Sequence, residues 1–512
     1  MILNNLPALI IVIPLLAGLV TPFFRKGNLA WAWVTTISWA VFAMSIGILL
    51  QVMGKVEAWH GYPHYPMGSW KIPWAIEYKI DSLNAFVLVL VSGVGAVVTT
   101  SARISIAKEV AEDRLHFFYA VWLLCLVGLL GITITGDAFN VYVLLEVASL
   151  TSYALVSMGK DRDRRALTAS MNYVVLGSIG ACFILLGIGY LYMATGTLNM
   201  GDMADQLRIL YRQWEHGAEQ PYRKTVTVAY AFLVVGFSLK LALFPLHAWL
   251  PNAYTYAPSA VSALLASTAT KVGAYGAARY MFTILGWNYC FVELPSGLLL
   301  MVFAGAGILF GSYVAAKQTN AKRMMAYSSV GQVGYIALGI ALASPENLEG
   351  LKGGLIHLFN HALTKGGLFL ALAAVAYRMG GTSLTHLQGL GRKMPLTMAA
   401  ITAGGLGLVG VPLTAGFVSK WYLVSGSIRG GQILMAVVVL VGSLLAAVYT
   451  WRLLEAIYFK PAPASSADVQ EAPASLVIPA WILIGASIYF GIDASTTSDL
   501  AERAARALMV RP

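Results

Sequence analysis

Charged residues are scarce in this sequence. Only 11% of its 512 residues are Asp, Glu, Lys or Arg, against a hydrophobic fraction of 58% and a mean hydropathy of +0.72. A soluble globular protein carries about 25% charged residues. These charges are too few to cover a water-exposed surface. The composition therefore excludes an ordinary soluble protein and predicts a polytopic membrane protein.

Cysteine is almost absent as well. Cys125, Cys182 and Cys290 lie within or beside apolar runs, and none belongs to a CxxC pair. Three cysteines exclude a Cys₄ cluster, and we interpret them as small core side chains without a disulfide, metal or redox role. Any redox chemistry must then come from partner chains. We predict that the chain has no cofactor, no metal site and no catalytic chemistry of its own.

The formal net charge of +11 does not indicate nucleic-acid binding. Basic residues fall mainly in short loops between apolar runs, as the positive-inside rule describes, and no aromatic–basic surface motif accompanies them. The basic loops on one side of the predicted topology lie at 25–26, 103–114, 160–165, 317–323 and 391–393. We expect this side to face the cytoplasm, with both termini on the outer side of the cell inner (cytoplasmic) membrane.

Apolar runs long enough to cross a bilayer recur along the whole chain. A membrane-spanning helix needs roughly 20 predominantly apolar residues. About 14 runs qualify, at 6–24, 30–52, 82–100, 115–133, 138–158, 168–194, 225–250, 259–285, 296–316, 324–343, 353–376, 397–426, 431–458 and 474–491. The sequence therefore predicts a single all-α membrane domain over residues 1–512.

Two of the longest runs contain a proline beside a lysine. Lys240 precedes Pro245 in one run, and Lys420 follows Pro412 in the other. Proline frees a helix carbonyl, and such breaks are tolerated in a membrane where they line protein or a water-filled cavity. Helix breaks at corresponding places in two halves of a chain are typical of transporters built from inverted repeats. We therefore predict helix breaks at Pro245 and Pro412.

Ionisable side chains also occur inside the predicted spans, where each one costs about 2.5–3.5 kcal/mol. Several in one chain indicate a common polar route for protons. The candidates are Glu146, Lys240, His247, Lys271, His357, His361, Lys365 and Lys420. Burial disfavours a charged group and a nearby opposite charge favours it, so the spacing of a Glu–Lys pair controls the proton affinity of both. The alternatives are a carboxylate paired for packing and, for Lys271, snorkelling to the interface.

The segment HLFNHALTK carries His357, His361 and Lys365 at i, i+4 and i+8, on one helical face. Two histidines one turn apart also resemble a zinc site. The segment lacks the glutamate of HExxH, no third ligand is evident, and Lys365 would repel a cation. We expect a proton relay, because the unperturbed pKa of histidine is about 6.5. A structural histidine pair is the alternative.

Neutral polar groups accompany these bases. Tyr327, Ser328, Ser329 and Gln332 lie together in KRMMAYSSVGQVGY. Such side chains hold water or bind a neighbouring helix, and the sequence does not distinguish the two roles.

Taken together, these segments resemble the antiporter-like subunits shared by Mrp-type multisubunit cation/proton antiporters, respiratory complex I and membrane-bound hydrogenases. The similar segments, in chain order, are TGDAFNVYVLLEVASLTSYALV, SLKLALFPLHAWLPNAY, APSAVSALLASTATKVGAYGAAR, KRMMAYSSVGQVGY, HLFNHALTKGGLFL and GVPLTAGFVSK. The resemblance implies 14 helices with two inverted five-helix repeats, which we place at 115–285 and 296–458. Each repeat would contain one broken helix.

The resemblance also implies roles for the buried bases. Glu146 matches the glutamate of the fifth span, and Lys240 matches the broken-helix lysine that pairs with it. Lys271 matches the next lysine of the relay. The segment HLFNHALTK matches the variable central connection, and Lys420 matches the terminal group of the second half-channel.

Within the family, the sequence is most similar to the D subunit of Mrp antiporters, on TGDAFNVYVLLEV and YLYMATGTLNMGDM. Two other members of the family fit less well. The M subunit of complex I has a glutamate in place of Lys420, and the L subunit of complex I has a long C-terminal lateral helix, and neither feature matches this sequence. We predict a proton-translocating subunit of a Na⁺/H⁺ antiporter whose partners are other membrane subunits, the lipid bilayer and H⁺. Whether Na⁺ passes through this chain stays open. The alternatives are a proton-pumping subunit of a redox complex, similar to the N subunit of complex I or to a hydrogenase counterpart, and a structural scaffold.

Overall fold

A computed structural model describes residues 3–59, 61–68, 70–215, 220–463 and 468–509. These residues form helices almost throughout, and the predicted all-α architecture is confirmed. The single sheet among them is a short hairpin in which β1 (His64–Pro66) pairs antiparallel with β2 (Glu77–Lys79). This hairpin lies in the connection between the predicted spans 30–52 and 82–100, for which the sequence predicted no regular structure.

The helices follow one another along the chain, and the longest connection lies between α2 and α3. In the first half they are α1 (Leu6–Val20), α2 (Gly27–Val52), α3 (Ser82–Glu109), α4 (Leu115–Ile134), α5 (Ala138–Ser157), α6 (Arg165–Thr195), α7 (Met200–Glu215), α8 (Arg223–Leu241), α9 (Trp249–Tyr256) and α10 (Ser259–Ala278). In the second half they are α11 (Ser296–Lys317), α12 (Ala321–Ala341), α13 (Glu349–Met379), α14 (Leu384–Leu387), α15 (Pro395–Val409), α16 (Ala415–Arg429), α17 (Ile433–Leu454), α18 (Ala474–Ile492) and α19 (Ser495–Met509).

Eleven helices within the described ranges are long and apolar enough to cross a membrane. Each of them coincides with a predicted span. The other three predicted spans are helical too: α10 and α12 are 20 and 21 residues long and largely buried, and the run 397–426 is divided between α15 and α16. The count of about 14 crossings therefore stays a prediction.

Helix α13 lies at the centre of the bundle. Every residue from Gly350 to Ala376 is buried, and the helix packs against α10, α12, α15, α16 and α18. A helix that is enclosed on all sides has no face for lipid. Its ionisable side chains must therefore face other helices.

The chain leaves helical geometry at both predicted prolines. Pro245 lies in the non-helical segment between α8 and α9, and Pro412 lies in the segment between α15 and α16. Each segment holds a non-glycine residue with a left-handed backbone, Ala242 at φ 59° and Leu413 at φ 71°. Such values are uncommon outside glycine, so these segments are sharp interruptions and not gentle bends.

The predicted basic loops are neighbours on one face of the bundle. Arg162, which lies just before α6, donates hydrogen bonds to Glu109 at the end of α3 and to the carbonyl of Gly380 directly after α13. These two bonds join three connections of the chain. Arg103 donates to Asn28 Oδ1 at 3.1 Å and joins the start of α2 to the last part of α3. Loops that are far apart in sequence are therefore close in space, as the positive-inside pattern requires.

One expectation about the core was wrong. Cys125 and Cys290 are buried, but Cys182 is exposed. It lies on α6, which carries several large exposed apolar residues, among them Val175, Ile179 and Leu186. In a chain this apolar, hydrophobic neighbours do not distinguish a core position from an outward-facing one.

Candidate functional site

Glu146 on α5 and Lys240 on α8 form a pair inside the bundle. Lys240 Nζ lies 3.9 Å from Glu146 Oε1 and donates a hydrogen bond to Ser149 Oγ at 2.8 Å. The side chain of Lys240 is 10% exposed and that of Glu146 is 25% exposed. Glu146 Oε1 is buried and has no hydrogen-bond partner among the described residues. The two groups thus attract each other without a direct hydrogen bond, so a small movement between α5 and α8 would join or separate them.

A cavity of about 40 Å³ adjoins Lys240. Its lining includes Ser149, Ser152 and Tyr173 on one side and Ala269, Val272 and Gly273 of α10 on the other. A buried water molecule needs about 10–15 Å³ and two to four polar partners. The space between Lys240 and α10 therefore has the volume and the polar groups to hold water.

Lys271 on α10 is completely buried. Its ammonium group donates to the carbonyl of Ala266 on its own helix. It is close enough to α13 for its charge to act on His357, His361 and Lys365. Lys271 therefore connects the side of the bundle that holds Lys240 with the central helix.

Lys365 on α13 is also completely buried. Its Nζ donates to the carbonyl of Met325 at 2.7 Å and to Ser328 Oγ, both on α12. Ser328 is one of the neutral groups that the sequence suggested for water or helix contact. It serves here as a direct partner of a buried ammonium group.

The two histidines of α13 are stacked one turn apart. The ring centroids of His357 and His361 are 5.9 Å apart and the ring planes differ by 13°. His357 Nδ1 lies 2.9 Å from Ser419 Oγ on α16, whereas neither nitrogen of His361 has a hydrogen-bond partner. The charges of Lys271 and Lys365 both act on His361. When Lys271 and Lys365 are protonated, their charges would repel a metal ion at these rings.

Lys420 on α16 is bound by the end of a broken helix. Its Nζ donates to the carbonyls of Leu408 and Val409 at 2.8 and 3.0 Å, and to Ser443 Oγ at 2.9 Å. The last carbonyls of a helix have no partner within that helix and carry the negative end of its dipole. Its ammonium group also lies 4.9 Å from the centre of the Tyr335 ring. The break therefore supplies the oxygen atoms that hold a buried cation.

Several buried polar atoms along this line of bases have no hydrogen-bond partner within the described part of the chain. They are Glu146 Oε1, His357 Nε2, Asn360 Oδ1 and both ring nitrogens of His361. Unpaired buried polar atoms are rare in proteins, and ordered water usually satisfies them. Their number indicates a line that carries water.

His247 lies apart from these residues. Its ring packs against Phe244 and Phe310, with centroid distances of 5.4 and 5.3 Å. Within the described part of the chain, none of its ring contacts or hydrogen bonds involves another candidate base. The structure places it beside the first helix break but does not join it to the line, and its predicted role stays a prediction.

Several partners in this site carry no signal in the sequence. Ser149 lies three residues after Glu146, which is one helical turn, and that spacing could have indicated a shared face. Ser419 contacts His357 on α13, and Ser443 on α17 accepts a hydrogen bond from Lys420 on α16. Both contacts join different helices, so no local sequence pattern indicates them. Serines of this kind are common in membrane helices, so composition cannot separate them from packing residues.

A second polar cluster on the face of the basic loops was also missed. Glu109 accepts hydrogen bonds from Arg162 and from the backbone nitrogen and hydroxyl of Ser259 at the start of α10. Lys322 is buried close by and donates to the carbonyl of Ala257 at 2.6 Å. This cluster fixes the ends of α3, α10 and α12 to one another.

Known proteins with similar sequences cover most of this chain. The family described as "NADH:quinone oxidoreductase/Mrp antiporter, TM" matches residues 135–446. The chain is 38% identical over 493 residues to the N subunit of the NADH-quinone oxidoreductase of Desulforudis audaxviator, and the match covers 94% of each chain. It is 27% identical over 507 residues to the D subunit of the Na⁺/H⁺ antiporter of Bacillus subtilis, covering 99% of this chain and 98% of that one.

The fold has a close match among solved structures. A chain in the structure of the Mrp complex from Dietzia sp. DQ12-45-1b superposes with a TM-score of 0.86 at 24% identity. The superposition covers 100% of this chain and 98% of that one. This chain therefore has the same polytopic helical fold as that chain of the Mrp complex.

Proposed function

Because the chain belongs to the NADH:quinone oxidoreductase/Mrp antiporter membrane family, we propose that it translocates protons along its buried bases as one subunit of a larger complex. The observation that carries the proposal is the spacing of Lys240 and Glu146. At 3.9 Å the two charges interact but are not hydrogen bonded, which is a geometry that can open and close.

Movement of this pair would drive the first proton transfer. A buried ammonium group that loses its carboxylate partner is strongly disfavoured. When Glu146 separates from Lys240, the lysine would therefore release its proton. The cavity between Lys240 and α10 has room for the water that would carry this proton towards Lys271.

The central bases would pass the proton on by mutual repulsion. Lys271, His357, His361 and Lys365 interact electrostatically, so they cannot all be charged at once. A proton that arrives at Lys271 would displace one from a neighbour. Lys420, whose charge acts on His357, would be the last base of the line.

The two helix breaks support the predicted division of the chain. We propose that 115–285 and 296–458 are inverted repeats, each with one interrupted helix and one lysine beside the interruption. The lysine of the second repeat binds carbonyls that its own break exposes. We also propose that the complex lies in the cell inner membrane, with the basic loops on the cytoplasmic side.

The first candidate for the coupled reaction is Na⁺/H⁺ antiport, with this chain in a role similar to that of the D subunit of Mrp antiporters. The antiporter relative from Bacillus subtilis supports it, because the match covers nearly the full length of both chains. The second candidate is a redox-driven proton pump. The 38% identity to an N subunit of NADH-quinone oxidoreductase favours that assembly.

Purification of the intact complex into sealed vesicles tests the proposal. An antiporter would move protons in response to a Na⁺ gradient without any electron donor. A redox pump would move protons only when an electron donor and an acceptor are supplied, and a Na⁺ gradient alone would have no effect. Absence of proton movement under both conditions, in a complex shown to be intact, would contradict proton translocation by this chain.

A further inference from the structure

Ser419 joins the second broken helix to the central histidine. It is completely buried at the position before Lys420, and its Oγ lies 2.9 Å from His357 Nδ1. A second contact between the same two helices lies close by, where Asn360 Nδ2 donates to the carbonyl of Ala415 at 2.6 Å. The start of α16 is thus bound to α13 at two points.

The hydrogen bonds of Ser419 determine which atom carries the proton on His357. A serine hydroxyl has a single proton, and Ser419 donates it to the carbonyl of Gly416 at 3.0 Å. Its oxygen therefore accepts from His357, which places the ring proton on Nδ1. The opposite tautomer would bury an Nε2–H group without an acceptor, because Nε2 has no partner among the residues that the structure describes.

We propose that Ser419 is a positioning residue that holds neutral His357 as the Nδ1–H tautomer, so that Nε2 is the atom that accepts a proton. The inference deepens the proposed function and rests on it for its effect on transport. Because Ser419 and Lys420 are adjacent on α16, one movement of this half-helix would change the tautomer control of His357 and the binding of Lys420 together.

The groups around the imidazole are consistent with this role. The ring of Tyr335 on α12 lies 5.1 Å from that of His357, and His361 lies 5.9 Å away on α13. The charges of Lys271 on α10 and Lys420 on α16 act on it from two sides. Among the described residues, none of these groups forms a hydrogen bond with Nε2, so Ser419 is the contact that distinguishes the two nitrogens.

Nitrogen-15 NMR of the full-length chain, labelled on histidine, tests the tautomer directly. The chain has 8 histidines, and the signal that disappears in His357→Gln identifies His357. We expect the Nδ1–H form in the wild type and in Ser419→Thr, and a large shift towards the Nε2–H form in Ser419→Ala. An Nε2–H form in the wild type, or an unchanged His357 signal in Ser419→Ala, would overturn the proposal.

Ser427→Ala is the matched control for this substitution. Ser427 is equally buried on α16, and its hydroxyl donates only to the carbonyl of Leu423 in its own helix at 2.7 Å. Loss of that hydroxyl should leave the His357 signal unchanged. A shift of equal size in Ser427→Ala would mean that any cavity in α16 disturbs the ring, and the specific role of Ser419 would be wrong.

Proton movement in vesicles separates this inference from the proposed function. We expect Ser419→Ala to slow transport by about tenfold and to change its pH profile, the effect of losing one buried hydrogen bond. Ser419→Thr should restore the wild-type rate and pH profile.

If His357→Gln leaves transport intact, the relay through this histidine is wrong whatever the NMR shows. If His357→Gln abolishes transport and Ser419→Ala has the wild-type rate and pH profile, the role of Ser419 is wrong.

Discussion

Lys420 Nζ reaches back across the second helix break and hydrogen bonds to the carbonyl of Leu408 at 2.8 Å. The residue that follows the break thus binds the helix that precedes it. An interrupted helix is normally costly in a membrane because its freed carbonyls find no partner. Here Lys420 donates to the carbonyls that the interruption frees, and these carbonyls stabilise its buried ammonium group. Each therefore offsets the energetic cost of the other.

Substitution of Lys420 should therefore affect stability as well as transport. We expect Lys420→Ala to lower the free energy of unfolding by about 1–3 kcal/mol, because the carbonyls of Leu408 and Val409 lose their donor. Lys420→Arg should keep most of this stability. Thermal unfolding in detergent measures both variants, and an unchanged unfolding temperature for Lys420→Ala would contradict the compensation.

Replacement of Lys240 with alanine should abolish proton movement while the complex still assembles. The lysine is the only described ammonium group at ion-pair distance from Glu146, so its loss interrupts the line at its start. Lys224 lies on the same helix but is exposed, and Lys224→Ala is the matched control. Proton movement in vesicles is the measurement. Normal activity of Lys240→Ala would remove the lysine from the pathway.

Glu146→Gln should reduce proton movement by more than about tenfold, because the amide keeps the shape of the side chain but cannot stabilise the ammonium group of Lys240. Glu112 is exposed in the loop before α4, and Glu112→Gln should have no effect. Ion-driven proton uptake by vesicles, at matched amounts of assembled complex, compares the two variants. Equal rates for them would show that the Glu–Lys pair does not control translocation.

The docking of α19 should depend on pH only under strong acid. Hydrogen bonds from Arg506 and from Lys352 of α13 lower the pKa of Glu502 to about 2, from an ordinary value of about 4.5. The folded state therefore favours the carboxylate. This stabilisation is fully present above about pH 4.5 and is lost as the pH falls towards 2.

Hydrogen exchange along α19 measures this dependence. We expect constant protection between pH 5 and 8, a range in which Glu502 stays charged, and reduced protection in Glu502→Gln throughout that range. Asp499 is exposed on the same helix, so Asp499→Asn serves as control. Equal protection in Glu502→Gln and the wild type would show that the contact with Lys352 does not hold the helix.

The main elements of the site could be predicted because each is local in sequence. An apolar run is recognisable by its length, Pro245 and Pro412 mark breaks by their chemistry, and a lysine within hydrocarbon stands out by its cost. The same reasoning placed His247 with the other bases. In the structure this residue packs against aromatic rings, since the turn that follows Pro245 directs it towards α11.

Contacts between helices could not be predicted in the same way. Ser149, Ser419 and Ser443 are ordinary residues for a membrane helix, and their importance depends on which helix lies opposite. The exposed position of Cys182 follows the same rule, because outward-facing and core positions have equally apolar neighbours here. The structure shows which helices lie opposite one another. A single sequence contains little of this information.

The complete enclosure of α13 has a consequence for biogenesis. When this helix leaves the ribosome, the chain that will form α15, α16 and α18 has not yet emerged from it, although all three pack against α13. Lys365 and the two histidines must then enter the membrane before Ser419 and the rest of their enclosure exist, at a cost of about 2.5–3.5 kcal/mol for the lysine alone. The insertion machinery, or the earlier helices α10 and α12, must shelter these side chains until translation is complete.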